Sequence, residues 1–314
     1  MITWFTDAFA SDLTQRGLLA GLLVAATTSL IGTWVVVRGL SFMGDALAHG
    51  VLPGIALAFL WGVDVTIGAL VSAALMVAGI AFVNRRAHLS EDTGIGLLFV
   101  GMLALGVIII SREDTYAGDL TSFLFGDILG VSTNDVRLLA AVGALVLAGV
   151  VGLYRPFLSL SFNREKAKAL GQRPGLAHAA MLGLLALSIV SSFRAVGTLL
   201  VFGLLVAPPA TATLVVRRLP AIMAMGVTLG CLSVVVGLTV SYHNDTAAAA
   251  TVAGVAVAQF FVALIVREAA TGAASWRHRR ASPPPAGPPA VPVGPGGPAR
   301  RRWSGRRAPP VRRT

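Results

Sequence analysis

The sequence predicts an all-α membrane protein: a polytopic bundle of about nine (eight to nine) transmembrane helices, with a short cytoplasmic helix in one loop and a disordered C-terminal tail. Three observations predict it. First, 55% of the 314 residues are hydrophobic and only 12% are charged, and the mean hydropathy is +0.79. A soluble domain carries about 25% charged residues, so this chain has to use lipid as its solvent. Second, the apolar residues come in long runs, and a helix of roughly 20 apolar residues crosses a hydrocarbon core of about 30 Å. Third, the loops between the runs alternate in charge.

The runs cover residues 17–37, 46–62, 65–83, 94–110, 136–154, 175–192, 196–216, 221–240 and 247–266. The residues before the first run include acids and no basic cluster, so no cleavable signal is expected. The second run is short and contains Pro53-Gly54. A kinked or broken helix is expected there, which leaves eight spans open as an alternative to nine. Residues 120–131 (LTSFLFGDILGV) are too short to span. They read either as a re-entrant segment on the outer side or as an apolar loop packed on the bundle.

Basic clusters occupy alternate loops: Arg85-Arg86, then Arg164, Lys166, Lys168 and Arg173, then Arg217-Arg218, then Arg267 onward. The intervening loops carry Glu113, Asp114, Asp119, Asp127 and Asp245. The positive-inside rule assigns the basic set to the cytoplasm, so a multi-pass protein of the inner (plasma) membrane is expected, N-terminus outside and C-terminus inside.

Residues 1–271 make up the transmembrane domain, and 272–314 a separate tail. Ten of the 25 Lys+Arg lie after Gly272 with no acid beside them, leaving fifteen against fourteen Asp+Glu in the rest. The net charge of +11 therefore belongs to the tail, and a specific nucleic-acid binder is not implied. The tail is rich in Pro, Gly and Arg and has too little apolar surface to bury, so disorder is expected. Its arginines either lie against an anionic leaflet or stay solvated. The single Cys231 excludes an intrachain disulfide and a cysteine metal cluster.

Four segments carry polar chemistry. In RGLSFMGDALAHGVLP, Asp45 and His49 are four residues apart, on one face of a helix. A carboxylate in a span faces a polar path or a partner. Carboxylate with imidazole suits a divalent ion, but a structural Asp–His pair fits the spacing as well. In LSLSFNREKAKALGQRP, Asn163 is a helix N-cap, Glu165 lies in the first turn, and Gly171 is a stop. A helix of about two turns follows, either a docking element for a soluble partner or a connector. In FRAVGTLLVFGLLVAPPATATLVVRR, Pro208-Pro209 is expected to kink or break the span. In SYHNDT, His243 and Asp245 offer outer-side contacts to a metal or a delivery protein, or simply a solvated loop. His88, His178 and His278 stand singly and suggest no role. The chain has two lysines, Lys166 and Lys168, and neither belongs to a phosphate-binding loop. Transport driven by ATP would need hydrolysis on another polypeptide, and no catalytic residue is assigned.

These segments, with LFGDILGVSTND, lie in an order that resembles the permease subunits of ABC-type zinc/manganese/iron importers, the ABC-3 metal-ion permease family. The resemblance runs from about Arg38 to Arg267 and leaves out the tail. It implies a homodimer, two cytoplasmic ATP-binding subunits and an extracytoplasmic metal-binding protein. It implies a divalent metal ion as transported substrate and no permanently bound cofactor. Asp45 and His49 become the candidates for the metal path. Asn163, Glu165, Lys168, Leu170 and Gly171 become the ATPase-coupling loop. An ATP-independent secondary transporter or channel is the alternative.

Overall fold

The computed structural model describes residues 11–86, 90–111, 126, 128, 130–162 and 173–281. Among the described residues there are helices and no strands, and nine helices are long and apolar enough to cross a membrane. The chain divides into two compact units, Met1–Ala270 and Thr271–Thr314.

Helix α1 (Asp12–Val37) starts at Ser11, whose Oγ accepts from the Thr14 amide at 3.2 Å, and Asp12 pairs with Arg16 one turn on at 2.5 Å. Its 26 residues extend about 39 Å, enough to cross the bilayer core. The turn through Gly39 leads to α2 (Ser41–Gly50) and α3 (Leu52–Leu60). These two short helices form one span, Ser41–Leu60, bent at Val51. The kinked or broken second span expected at Pro53-Gly54 is thus present as an interrupted helix, and the described residues hold nine candidate spans rather than eight.

Then come α4 (Val65–Arg86), α5 (Glu91–Ile110), α6 (Thr133–Gly152) and α7 (Tyr154–Phe162). Helix α6 opens on a reciprocal cap: Ser132 Oγ accepts from the Asp135 amide and Asp135 Oδ2 accepts from the Ser132 amide, at 3.2 and 3.1 Å. Helix α7 was not expected. Its Phe157 and Tyr154 stand edge-on to Trp34 of α1, with ring centroids 5.4 and 5.5 Å away.

The helical stretch Pro174–Val215 holds two spans, α8 (Pro174–Phe193) and α9 (Ala195–Val215), and its non-helical residue, Gly197 (φ 75°, ψ 164°), lies in the first turn of α9. Gly126, the described remnant of the 120–131 segment with Ile128, Gly130 and Val131, packs its backbone on this break. Helix α10 (Leu219–Asn244) ends on Asp245 in the left-handed region. Helix α11 runs from Ala248 to Ala281, past the residue-272 boundary that composition suggested, and its membrane-length part is Ala248–Ala270.

Pro208 and Pro209 do not break their span. They sit inside α9, and the non-helical residue of the stretch is Gly197. The proline φ suits a helix, and what each proline removes is the N–H that bonds four residues back. The carbonyls left over are those of Leu204 and Leu205. Ser29 Oγ of α1 donates to the first at 3.2 Å. The second lies directly over Gly32 of α1, where a Cβ would collide with it. A neighbour covers the freed carbonyls, so α9 stays helical through both prolines.

Helix α1 is the centre: it packs against α6, α8, α9 and α10. Of its membrane-length window 67% is buried, and 72% for α2–α3, against 17% for α5 and for α6. The outer helices expose Leu97, Val100, Val107, Ile108, Leu145 and Val151, an apolar rim suited to lipid.

Candidate metal-binding site

Asp45 and His49 lie on α2, the lower-numbered half of the bent span. The bend begins in the sequence. Pro53 has no N–H to return to the His49 carbonyl, and the Val51 N–H bonds that carbonyl instead. Helix α4 braces the joint. Ser72 Oγ donates to the Gly50 carbonyl at 2.8 Å. Met76 packs its sulfur onto Gly50, and Gly54 and Gly68 meet backbone to backbone, leaving no room for a Cβ on either. Small residues at a helix crossing permit such an approach. Helix α5 lies along the other side, with Phe99 against α2 and Gly106 against Leu52 and Pro53.

The imidazole is oriented by its own helix. His49 Nδ1 lies 3.1 Å from the Asp45 carbonyl oxygen and 3.4 Å from Asp45 Oδ1. With Nδ1 donating to that carbonyl, Nε2 keeps its lone pair for a cation, the arrangement in which metal-bound histidines are ordinarily held. The two side chains remain 26% and 30% exposed, buried enough to be fixed and open enough to be reached. Among the described residues no group of three or more His, Cys, Asp or Glu gathers into a closed metal cluster. One chain therefore offers a two-residue half-site, open on one side.

The other sequence candidates fall elsewhere. His243 and Asp245 close α10, and both are exposed. His243 Nδ1 is 2.9 Å from the Thr239 carbonyl oxygen and the ring stacks edge-on with Tyr242 at 5.3 Å. Asp245 adopts φ 49° as the helix end. Asn163, Glu165, Lys168, Leu170 and Gly171 lie outside the described residues. Pro208 and Pro209 sit within a continuous α9, as above.

Three contacts escape a reading of the sequence. Ser72, Met76 and Phe99 are ordinary residues in apolar runs, and only the packing of α4 and α5 brings them to the Asp45–His49 turn. His178, which suggested no role, is buried against Arg38: the guanidinium Nη1 lies 3.0 Å from His178 Nδ1 and 3.5 Å from Met181 Sδ. That contact ties the end of α1 to the start of α8.

The family model of the ABC 3 transport family matches residues 10–267. The chain belongs to the ABC 3 transport family. Its members are permeases, the membrane subunits of ABC-type transport systems, and this chain is a multi-pass membrane transport protein. It is 35% identical to the manganese transport system membrane protein MntC of Listeria innocua, over 80% of this chain and 89% of that one. It is 31% identical to the chelated iron transport system membrane protein YfeD of Yersinia pestis, over 84% and 89%. Among solved structures, PsaBC from Streptococcus pneumoniae in complex with Fab matches with a TM-score of 0.74 and 33% identity, covering 84% of this chain and 95% of that one.

Proposed function

We propose that this ABC 3 permease forms the translocation path of an ATP-driven importer of divalent metal ions. The observation that carries the proposal is the Asp45–His49 half-site, a carboxylate and an imidazole one turn apart on a bent span inside the bundle. The names of the relatives favour manganese or iron, and the oxygen and nitrogen donors suit zinc as well.

The path lies between two copies of the chain. A two-fold axis beside α2 brings two Asp45–His49 pairs together and supplies four ligands where one chain has two. Because the four ligands are shared between two chains, a movement of one copy against the other takes two of them away, and an ion held weakly is one that can leave. Metal arrives from an extracytoplasmic binding protein at the outer loops, where His243 and Asp245 are exposed. ATP is hydrolysed on separate cytoplasmic subunits, which dock on the loop containing Asn163, Glu165, Lys168, Leu170 and Gly171. The basic loops support a cytoplasmic position for that face and for the C-terminus at the plasma membrane. Domain rocking then opens the bundle inward.

Asp45→Ala and His49→Ala are expected to reduce uptake of manganese, iron and zinc, measured element by element in whole cells, to the level of cells lacking the protein. Membrane insertion should be unchanged. Normal uptake in both variants overturns the metal-path assignment. Metal flux through the lone chain in proteoliposomes, without ATP or partner subunits, overturns the ATP-driven part and favours a secondary transporter or channel.

A further inference from the structure

Residues Phe42, Asp45 and His49 follow one another at intervals of three and four on α2, so they form a single stripe. One residue of the neighbouring helix touches both ends of it. The Phe99 ring of α5 stands edge-on to Phe42 with centroids 5.5 Å apart at 74°, and to His49 with centroids 5.7 Å apart at 86°. Asp45 lies between these two contacts along the stripe. We infer that Phe99 is a positioning residue for the Asp45–His49 site, holding the imidazole in the rotamer that keeps Nδ1 on Asp45 and offers Nε2 to a divalent cation. The inference rests on the metal-path reading above.

The physical reason is rotational. Histidine turns broadly about its second side-chain torsion, and a helix fixes only the first. The bond to the Asp45 carbonyl at 3.1 Å is one restraint on a ring that flips by half a turn at little loss of volume. After a flip a carbon sits where Nδ1 was, and the nitrogens point elsewhere. A phenyl ring nearly perpendicular to the imidazole is a second restraint: it holds the ring plane, and within that plane the Asp45 carbonyl selects the orientation that puts Nδ1 on it. Phe42 holds Phe99 in turn. A phenyl ring brings no donor atom of its own, so it does not compete for the ion.

The residue is not needed to pack the joint. That work falls to Ser72, Met76, Gly54 and Gly68 on the α4 side, and to Gly106 further along α5. Phe99 is itself only partly buried, so its loss leaves the backbone at Gly50 supported.

The test uses the full-length chain in lipid nanodiscs. Mn2+ affinity is read by the resonance signal of the free ion, and Co2+ serves as an optical probe of ligand geometry. Phe99→Leu keeps most of the volume and removes the ring. Phe99→Tyr keeps the ring and serves as the conservative variant. Removing a group that orients a metal-bound histidine lowers metal affinity about ten- to hundred-fold. Phe99→Leu is expected to weaken Mn2+ binding about ten-fold and to change the Co2+ absorption, with the melting temperature unchanged and with Phe99→Tyr close to the parent. Loss of binding in His49→Ala together with parental affinity and parental Co2+ absorption in Phe99→Leu overturns the role of Phe99 alone. Parental binding in His49→Ala overturns the metal-path reading and this inference with it.

Discussion

Two spans of this permease carry proline beyond their first turn, and they respond to it in opposite ways. The span Ser41–Leu60 has one proline, Pro53, and bends. Helix α9 has two, Pro208 and Pro209, and stays helical. The number of missing N–H groups therefore does not decide whether a membrane helix breaks. The neighbours do. Beside α9 stands α1, with the Ser29 hydroxyl donating to one freed carbonyl and Gly32 making room for the next. Beside the bent span stands α4, with Ser72 donating to Gly50 and Gly68 pressed against Gly54. The first neighbour supports a continuous helix, and the second supports an interruption at Val51, two residues after His49. In one span the proline chemistry is absorbed, and in the other it shapes a site.

The comparison breaks most visibly at the glycine contact. Gly54→Leu drives a side chain into the Gly68 backbone, and overpacking of this kind costs roughly 3 kcal/mol or more where backbone has to move. Yield of folded protein in the membrane should fall sharply, and recovery to parental yield would show that the bend does not depend on that approach. Next comes Gly197→Ala, which places a Cβ at φ 75° and ψ 164°, a region essentially reserved for glycine, and should cost about 1–3 kcal/mol, seen as a lower melting temperature in detergent. Ser72→Ala leaves the Gly50 carbonyl without its side-chain donor and should cost about 1–2 kcal/mol. Because Gly50 follows His49, metal affinity should fall in the same variant, and Ser72→Thr should restore both. Ser29→Ala should have the smallest effect, about 1 kcal/mol of stability, with metal uptake at the parental level. Equal losses of uptake in Ser29→Ala and Ser72→Ala would erase the distinction between the two spans.

The sequence made the bundle readable because each run had to satisfy one demand, a length of apolar helix matched to the bilayer. All nine expected runs became spans, with ends shifted by a few residues, as at Ser41 instead of Ala46. Asp45 and His49 were readable because spacing within a helix is local information. The break in residues 174–215 was not. Local chemistry pointed to Pro208-Pro209, whereas Gly197 takes its positive φ where the Gly126 backbone packs on it, a contact made with a segment some 70 positions earlier. Helix α7 was missed because YRPFLSLSF is short and mixed in polarity; Phe157 and Tyr154 earn their place through Trp34, which lies over a hundred positions away. Ser72 and Phe99 were hidden for the same reason, since neither residue type announces a role until a neighbouring helix supplies the partner.

The aromatic contact between α1 and α7 has a mechanical consequence. Trp34 and Phe157 are wholly enclosed, and α7 ends at Phe162, immediately before the loop proposed above for coupling. A tug on that loop reaches α7 first, and the interlocked rings carry it to Trp34. Three residues of α1 further back is Ile31, and beside it are Ser29 and Gly32, the residues on which α9 rests. The helix that supports α9 at Ser29 and Gly32 is thus also the helix that α7 grips at Trp34, so a displacement of either neighbour is felt by the other through α1.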